Sequence, residues 1–409
     1  MRHPALYSNE LASMIDLSMA RKLADKKIGL VLSGGGARAA YQVGVIKAIS
    51  RLLPADSGNP FQIISGTSAG AINAVAMASY ASHYRQGVRH LERVWKNFSC
   101  DQIFRTDFTG VLGWSVKFLL NSFFGYKAGE PVSLLDNSPL RGLLERLILF
   151  ENIQKAIDNK DLHALSVTAS GYASGESVSF YQANNSIKNW QRLRRIGVRS
   201  RIGIDHLMAS SAIPAVFPAV QINREYFGDG AIRQLAPISP ALHLGADKIM
   251  VIGVSGEAHK RRERQAMKHY PSMAKIMNHM FNAAFLDSME SDVERLTRIN
   301  NTLDKIPDDV RVQPGFELRP VDILEISPSE SIDDIAARHS RELPKSLSIF
   351  LRGSGTTHKS GAGVLSYLLF ERGFCRDLIQ HGYDDAMKQK DDILKFFCED
   401  EECEDAAAG

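Results

Sequence analysis

Short aliphatic runs alternate with helix-periodic stretches along the first fifth of the chain, and their order predicts the fold. Lys27 to Leu32 (KIGLVL) is apolar almost throughout, as expected of a strand buried on both faces. A glycine-rich stretch follows, and YQVGVIKAISRLL (41–53) then spaces its apolar residues as a helix does. The cycle repeats with FQIISG (61–66) as a second buried strand and SAGAINAVAMASYA (68–81) as a second buried helix. Strand, loop, helix, twice over, is the pattern of an α/β protein with a parallel sheet. Further strands are expected at ALSVTAS (164–170), SVSFYQA (177–183), DKIMVIGVS (247–255) and VDILEIS (321–327). A helix start is marked by Asn137-Ser138-Pro139 ahead of LRGLLERLI, with proline in the first turn. The expected organisation is a helical N-terminal extension (1–26), a parallel-sheet three-layer core domain (27–255), a mostly helical region (256–398) and an acidic tail (399–409).

Composition narrows the class. The chain is 44% hydrophobic and 23% charged, ordinary for a soluble globular protein, and 409 residues suffice for one large domain with additions or for two. A formal net charge of +3 gives no global field for nucleic acid, and HKRRER (259–264) is short enough to be a solvated helix start. Cys100, Cys375, Cys398 and Cys403 form neither a C-x-x-C pair nor a disulfide framework, which suits a reducing compartment. The N-terminus lacks the continuous apolar core of a secretory signal, and no apolar run nears the roughly 18 residues that span a bilayer. The expected location is therefore cytoplasmic or peripheral to a membrane. One stretch, FTGVLGWSVKFLLNSFFGYKAG (108–129), is rich enough in Trp114, Phe118, Phe123 and Phe124 to suit either a lipid-facing cap or a core helix.

Candidate chemistry begins at the second strand's end. Gly66-Thr67-Ser68-Ala69-Gly70 places a serine between glycines where a strand turns into a helix, the context of a nucleophile elbow. By itself the pattern is weak, since chance yields it in roughly one chain in seven of this length. The first loop, Ser33-Gly34-Gly35-Gly36-Ala37-Arg38, offers successive backbone amides ahead of a helix and so favours negative charge. Gly34-x-Gly36-x-x-Ala39 also fits a dinucleotide fingerprint, but the second strand ends in Ser65-Gly66 rather than in the acid that fingerprint requires. If the two strands are parallel neighbours, both loops leave one sheet edge, and the Gly34, Gly35 and Gly36 amides become an oxyanion hole beside Ser68. A base is then needed. His243, His259, His358 and His381 lie downstream, as a Ser–His–Asp triad would require, yet none sits in a recognisable loop at a strand end. Asp229, between Gly228 and Gly230 after Tyr226-Phe227, is the alternative, on what local pattern reads as a tight turn.

Taken in order, SGGGARAAYQVGV, GTSAG, ASSAIPAVFPAV and FGDGA resemble the patatin-like phospholipase family over residues 27–255. The resemblance implies a Ser–Asp dyad without histidine. Ser68 would be the nucleophile, Asp229 the base, and Gly34, Gly35 and Gly36 the oxyanion loop. Arg38 would occupy the loop's basic, anion-binding position, and Gly66, Gly70 and Gly230 would be motif glycines. The substrate implied is a phospholipid or other acyl lipid, with peripheral membrane contact, no nucleic acid, and no metal or organic cofactor. Ala39 stands where many members have glycine, and the asparagine that often follows the D-G-A/G motif is absent from DGAIRQLAP. A phosphate-binding module without catalysis is the rival from another class.

Overall fold

The computed structural model describes residues 26–107, 133–256, 270–311, 318–346, 348 and 362–397. The expectations placed on the N-terminal extension, on the 108–129 stretch, on HKRRER and on the acidic tail fall outside these residues, Lys26 excepted.

Among the described residues ten strands build one mixed sheet: β1 (Ile28–Leu32), β2 (Ile63–Thr67), β3 (Ala164–Gly171), β4 (Ser177–Ala183), β5 (Trp190–Arg192), β6 (Arg195–Arg199), β7 (Val220–Ile222), β8 (Glu225–Asp229), β9 (Lys248–Ile252) and β10 (Asp322–Ile326). Their order is β10-β9-β1-β2-β3-β4-β6-β5, with the β7–β8 hairpin joined to β3. From β10 to β3 every pairing is parallel. β10 lies at the edge, while β9, β1, β2 and β3 inside it are buried along their whole length. Burial on both faces explains why β1 and β9 are aliphatic runs rather than alternating patterns.

The parallel core is as expected, and antiparallel pairings are confined, among the described residues, to β3 and the strands joined beyond it. β4 and β8 both run antiparallel to β3, and β5 runs antiparallel to β6. β3 extends past β2, whose last residue pairs with Thr168, and its overhang at Ala169–Gly171 carries β8. The β8 strand is thereby suspended at the sheet edge from which the β1 and β2 loops emerge.

The helices that matter to the site are α1 (Ala40–Leu52), α2 (Ala69–Ser79), α3 (Tyr84–Lys96), α4 (Ile204–Ser210), α5 (Met273–Phe285), α6 (Asp287–Leu303), α7 (Ile332–Arg338), α8 (Ala362–Leu368) and α9 (Arg372–Lys388). Helix α1 is apolar nearly all round because it is covered nearly all round, with ten of its thirteen residues buried. The described residues beyond 256 are mostly helical, as expected, and they share the sheet and core of the residues before them. Strand β10 extends the common sheet, and one hydrophobic core includes Ile46 of α1, Ile335 of α7, Tyr367 of α8 and Ile379 of α9. Helices α1 and α9 approach so closely that a Cβ at Gly44 would collide with the Ile379 carbonyl oxygen.

Candidate active site

Ser68 lies between the end of β2 and the start of α2 with φ 54° and ψ −129°, a conformation costly for a residue bearing a Cβ. The flanking glycines make the turn possible. A Cβ at Gly66 would lie 2.5 Å from the Gly70 carbonyl oxygen, and one at Gly70 would run into the carbonyls of Leu32 and Ser33. The turn is thus packed directly onto the β1 loop, and the two loops meet as the parallel β1–β2 pairing requires. A Cβ built on Gly34 would be 3.0 Å from the Ser68 Cβ. Gly34 and Gly35 are buried residues, and their N–H groups meet no acceptor among the described residues. Unpaired buried amides are rare in folded proteins, so a pair of them beside a serine is informative.

Asp229 closes β8 rather than sitting in an isolated turn, and it is fully buried. Its Oδ1 accepts from the Ala231 N–H at 3.0 Å, while Oδ2 has no hydrogen-bond partner among the described residues. Burial pushes its pKa from the usual 3.8 up to about 7, with the Ser68 hydroxyl and the Ala231 amide pulling it back. The serine is therefore near enough to influence the carboxylate, without the alignment of a completed bond. Such looseness is common where no substrate is bound. Gly230 leaves no space for a Cβ against the Thr168 carbonyl, which fixes the chain directly after the acid.

Residues outside the expected set hold these two in place. Ser210, at the end of α4, accepts from the Ser68 N–H at 2.9 Å and donates to the Thr168 carbonyl at 2.6 Å. Two residues on, the Ala212 carbonyl accepts the Asp229 N–H at 2.8 Å. One short segment, within the ASSAIP stretch, thus orients both residues. Gln234 bridges the loops again: its Oε1 accepts from Thr67 Oγ1 at 2.5 Å and its Nε2 donates to Thr168 Oγ1 at 3.3 Å. A buried amide is thus present in the loop whose usual asparagine is missing. Beneath the glycine loop, Gln42 donates to the Ser33 carbonyl at 2.8 Å and Asn73 to the Ala39 carbonyl at 3.1 Å. Trp95 Nε1 donates in turn to Asn73 Oδ1 at 2.8 Å.

Arg38 departs from its expected anion-binding role. Its guanidinium is buried against Asp333, Ser366 and Tyr367, so its charge is already met within the protein. The two candidate histidines among the described residues are also engaged elsewhere. His243 stacks on Trp190 with ring centroids 5.0 Å apart, and His381 faces Glu330 and Asp377. His259 and His358 lie outside the described residues. An apolar pocket opens from Ser68 between Ile72, Trp95, Phe98, Leu140, Phe217 and Phe370. Ser68 itself is only 2% exposed.

The family model described as patatin-like phospholipase matches residues 30–242, which takes in the glycine loop, the serine elbow and Asp229. The chain belongs to the patatin-like phospholipase family. Lysophospholipase nte1 of Aspergillus terreus is 47% identical over 75 residues, which are 18% of this chain and 5% of that protein. Lysophospholipase NTE1 of Chaetomium globosum is 39% identical over 82 residues, 20% of this chain and again 5% of the relative. The chain therefore matches only about a twentieth of the length of these curated relatives. Human GIVD cytosolic phospholipase A2 aligns with a TM-score of 0.45 and 10% identity, covering 94% of this chain and 62% of that one. VipD from Legionella pneumophila aligns with a TM-score of 0.36 and 14% identity over 90% of this chain and 67% of its own. Both likenesses are too loose to add to the patatin-like fold described above.

Proposed function

We propose that the protein is a serine acyl hydrolase that cleaves lipid acyl esters through an acyl-enzyme on Ser68. Asp229 is the base and the Gly34–Gly36 amides form the oxyanion hole. The observation that carries this reading is the strained Ser68 facing a fully buried Asp229 whose Oδ2 has no partner among the described residues. A carboxylate with pKa near 3.9 is a poor base for a hydroxyl, but burial raises that of Asp229 to about 7.

In the first step Ser68 Oγ attacks the ester carbonyl carbon as Asp229 takes the hydroxyl proton. Charge gathers on the carbonyl oxygen, beside the unpaired amides of Gly34 and Gly35, where such donors are worth roughly 10²–10³ in rate. Collapse of the tetrahedral adduct breaks the ester C–O bond, and the proton passes from Asp229 to the departing alcohol. Water then attacks the acyl-serine with Asp229 again accepting a proton; the Ser68 Oγ–C bond breaks, Asp229 returns the proton to Oγ, and the free acid leaves. The apolar pocket beside Ser68 suits an acyl chain better than a charged substrate. No helix among the described residues is long and apolar enough to cross a membrane. A lipid substrate would be met at the surface of a bilayer or micelle.

The test is hydrolysis of a lipid ester panel as a function of pH. Asp229 must be ionised to act, so kcat/KM should rise tenfold per pH unit below about pH 7 and level off above it. A rate that is flat from pH 5 to 8, or that falls as the pH rises, contradicts Asp229 as the base.

A further inference from the structure

The glycine loop beside Ser68 is gripped by residues some 300 positions further along the chain. Arg38 is 3% exposed. Its Nη2 meets Asp333 Oδ1 at 2.6 Å, and its Nε donates to Ser366 Oγ at 2.8 Å. The same Nη2 reaches the Gly363 carbonyl at 3.4 Å, and the guanidinium lies 4.1 Å from the centre of the Tyr367 ring. Asp333 is in the first turn of α7; Ser366 and Tyr367 belong to α8. The backbone is pressed onto the same place. Gly36 has φ +57°, and a Cβ there would collide with the Tyr367 carbonyl oxygen. Arg38 lies in the 3₁₀ turn Gly36–Ala39, and its own N–H closes back onto the Gly35 carbonyl at 3.2 Å.

We propose that Asp333 is a positioning residue for hydrolysis: through Arg38 it sets the turn Gly36–Ala39 and so aims the Gly34 and Gly35 amides at the carbonyl under attack. The proposal rests on the hydrolase reading above and assigns α7 and α8 a part in it. A buried guanidinium has to keep its counter-charge. Its planar fork fixes orientation as well as distance, which a point charge does not. Oxyanion donors act only when already aimed, so a loop displaced by a fraction of an ångström weakens the transition state more than it weakens substrate binding.

Asp333→Asn keeps the size of the side chain and removes its charge. It is expected to lower kcat roughly 10- to 100-fold while KM stays within about twofold of wild type. The rate is expressed per site labelled at end point by a fluorophosphonate, so unfolded molecules are not counted. Asp333→Glu, which keeps the charge, should recover most of the rate. Ser366→Ala, which removes the acceptor of Arg38 Nε together with the hydroxyl's own bonds to the Gly363 carbonyl and Asp333, should cost several-fold in kcat at unchanged KM. A purely structural contact predicts fewer labelled sites and a lower melting temperature, with kcat per labelled site within twofold of wild type; that result overturns the proposal. If Asp333→Asn does not fold, Ser366→Ala decides by the same criterion. A wild-type protein that neither labels nor hydrolyses any lipid ester would overturn the hydrolase reading itself, and this proposal with it.

Discussion

Asp229→Asn is expected to slow ester hydrolysis by roughly 10²–10⁴-fold, the range of a lost general base, and to make the protein more stable above pH 7. Both effects come from one carboxyl group. Burial holds its pKa at about 7 in the folded protein, against 3.8 when it is exposed to water. The native state therefore keeps the proton where the unfolded chain has released it. This site's contribution to stability is complete below about pH 4, declines as the pH rises toward 7, and is constant beyond. At about 1.4 kcal/mol per pH unit, the loss is on the order of 4 kcal/mol. Asparagine fills the same space, does not ionise and escapes that loss. The difference in melting temperature between variant and wild type should thus widen from pH 5 to 7 and then stay constant. A variant that melts below wild type at pH 8 would contradict the picture of an ionised carboxylate held unfavourably for catalysis.

The second large effect concerns Ser68. Ser68→Ala and Ser68→Gly should both reduce lipid hydrolysis to background, since each removes the proposed nucleophile. They should differ in stability. Alanine keeps the Cβ and the strain of φ 54°, ψ −129°. Glycine relieves strain worth about 1–3 kcal/mol and gives back about 0.5–1 kcal/mol through the greater freedom of its unfolded chain. Ser68→Gly should be the more stable by about 1 kcal/mol, measured by chemical denaturation. Equal stability, or a more stable alanine variant, would mean that the turn stores no strain.

Much of this site could be read from the sequence because its parts are local. Ser68 is marked by a strand, two glycines and a helix in immediate succession, and the glycine loop by the same succession one unit earlier. The parallel pairing of β1 with β2 then brings them together without further information. The short outer strands were less legible. Trp190–Arg192 and Arg195–Arg199 are polar and partly exposed, and they become strands only by pairing with each other and with β4. Strand β8 owes its place to the overhang of β3, so Asp229 reads locally as a turn although it ends a strand. The supporting contacts were hidden for a related reason. Ser210 acts on Ser68 across 142 positions, and Asp333 acts on Arg38 across 295. Arg38 shows the cost: its place in the loop suggested an anion site, while its partners lie in a region whose sequence carries no motif.

Activation of Ser68 by Asp229 underlies the proposed hydrolysis. Its most direct measurement is the reaction of the purified protein with a lipid-like fluorophosphonate at pH 8, followed by mass spectrometry of the labelled peptide. The expected result is one phosphonyl group per molecule, on Ser68, formed at least a hundredfold more slowly in Asp229→Asn and not at all in Ser68→Ala. Labelling at another serine, or equally fast labelling of Ser68 when Asp229 is asparagine, would contradict the account.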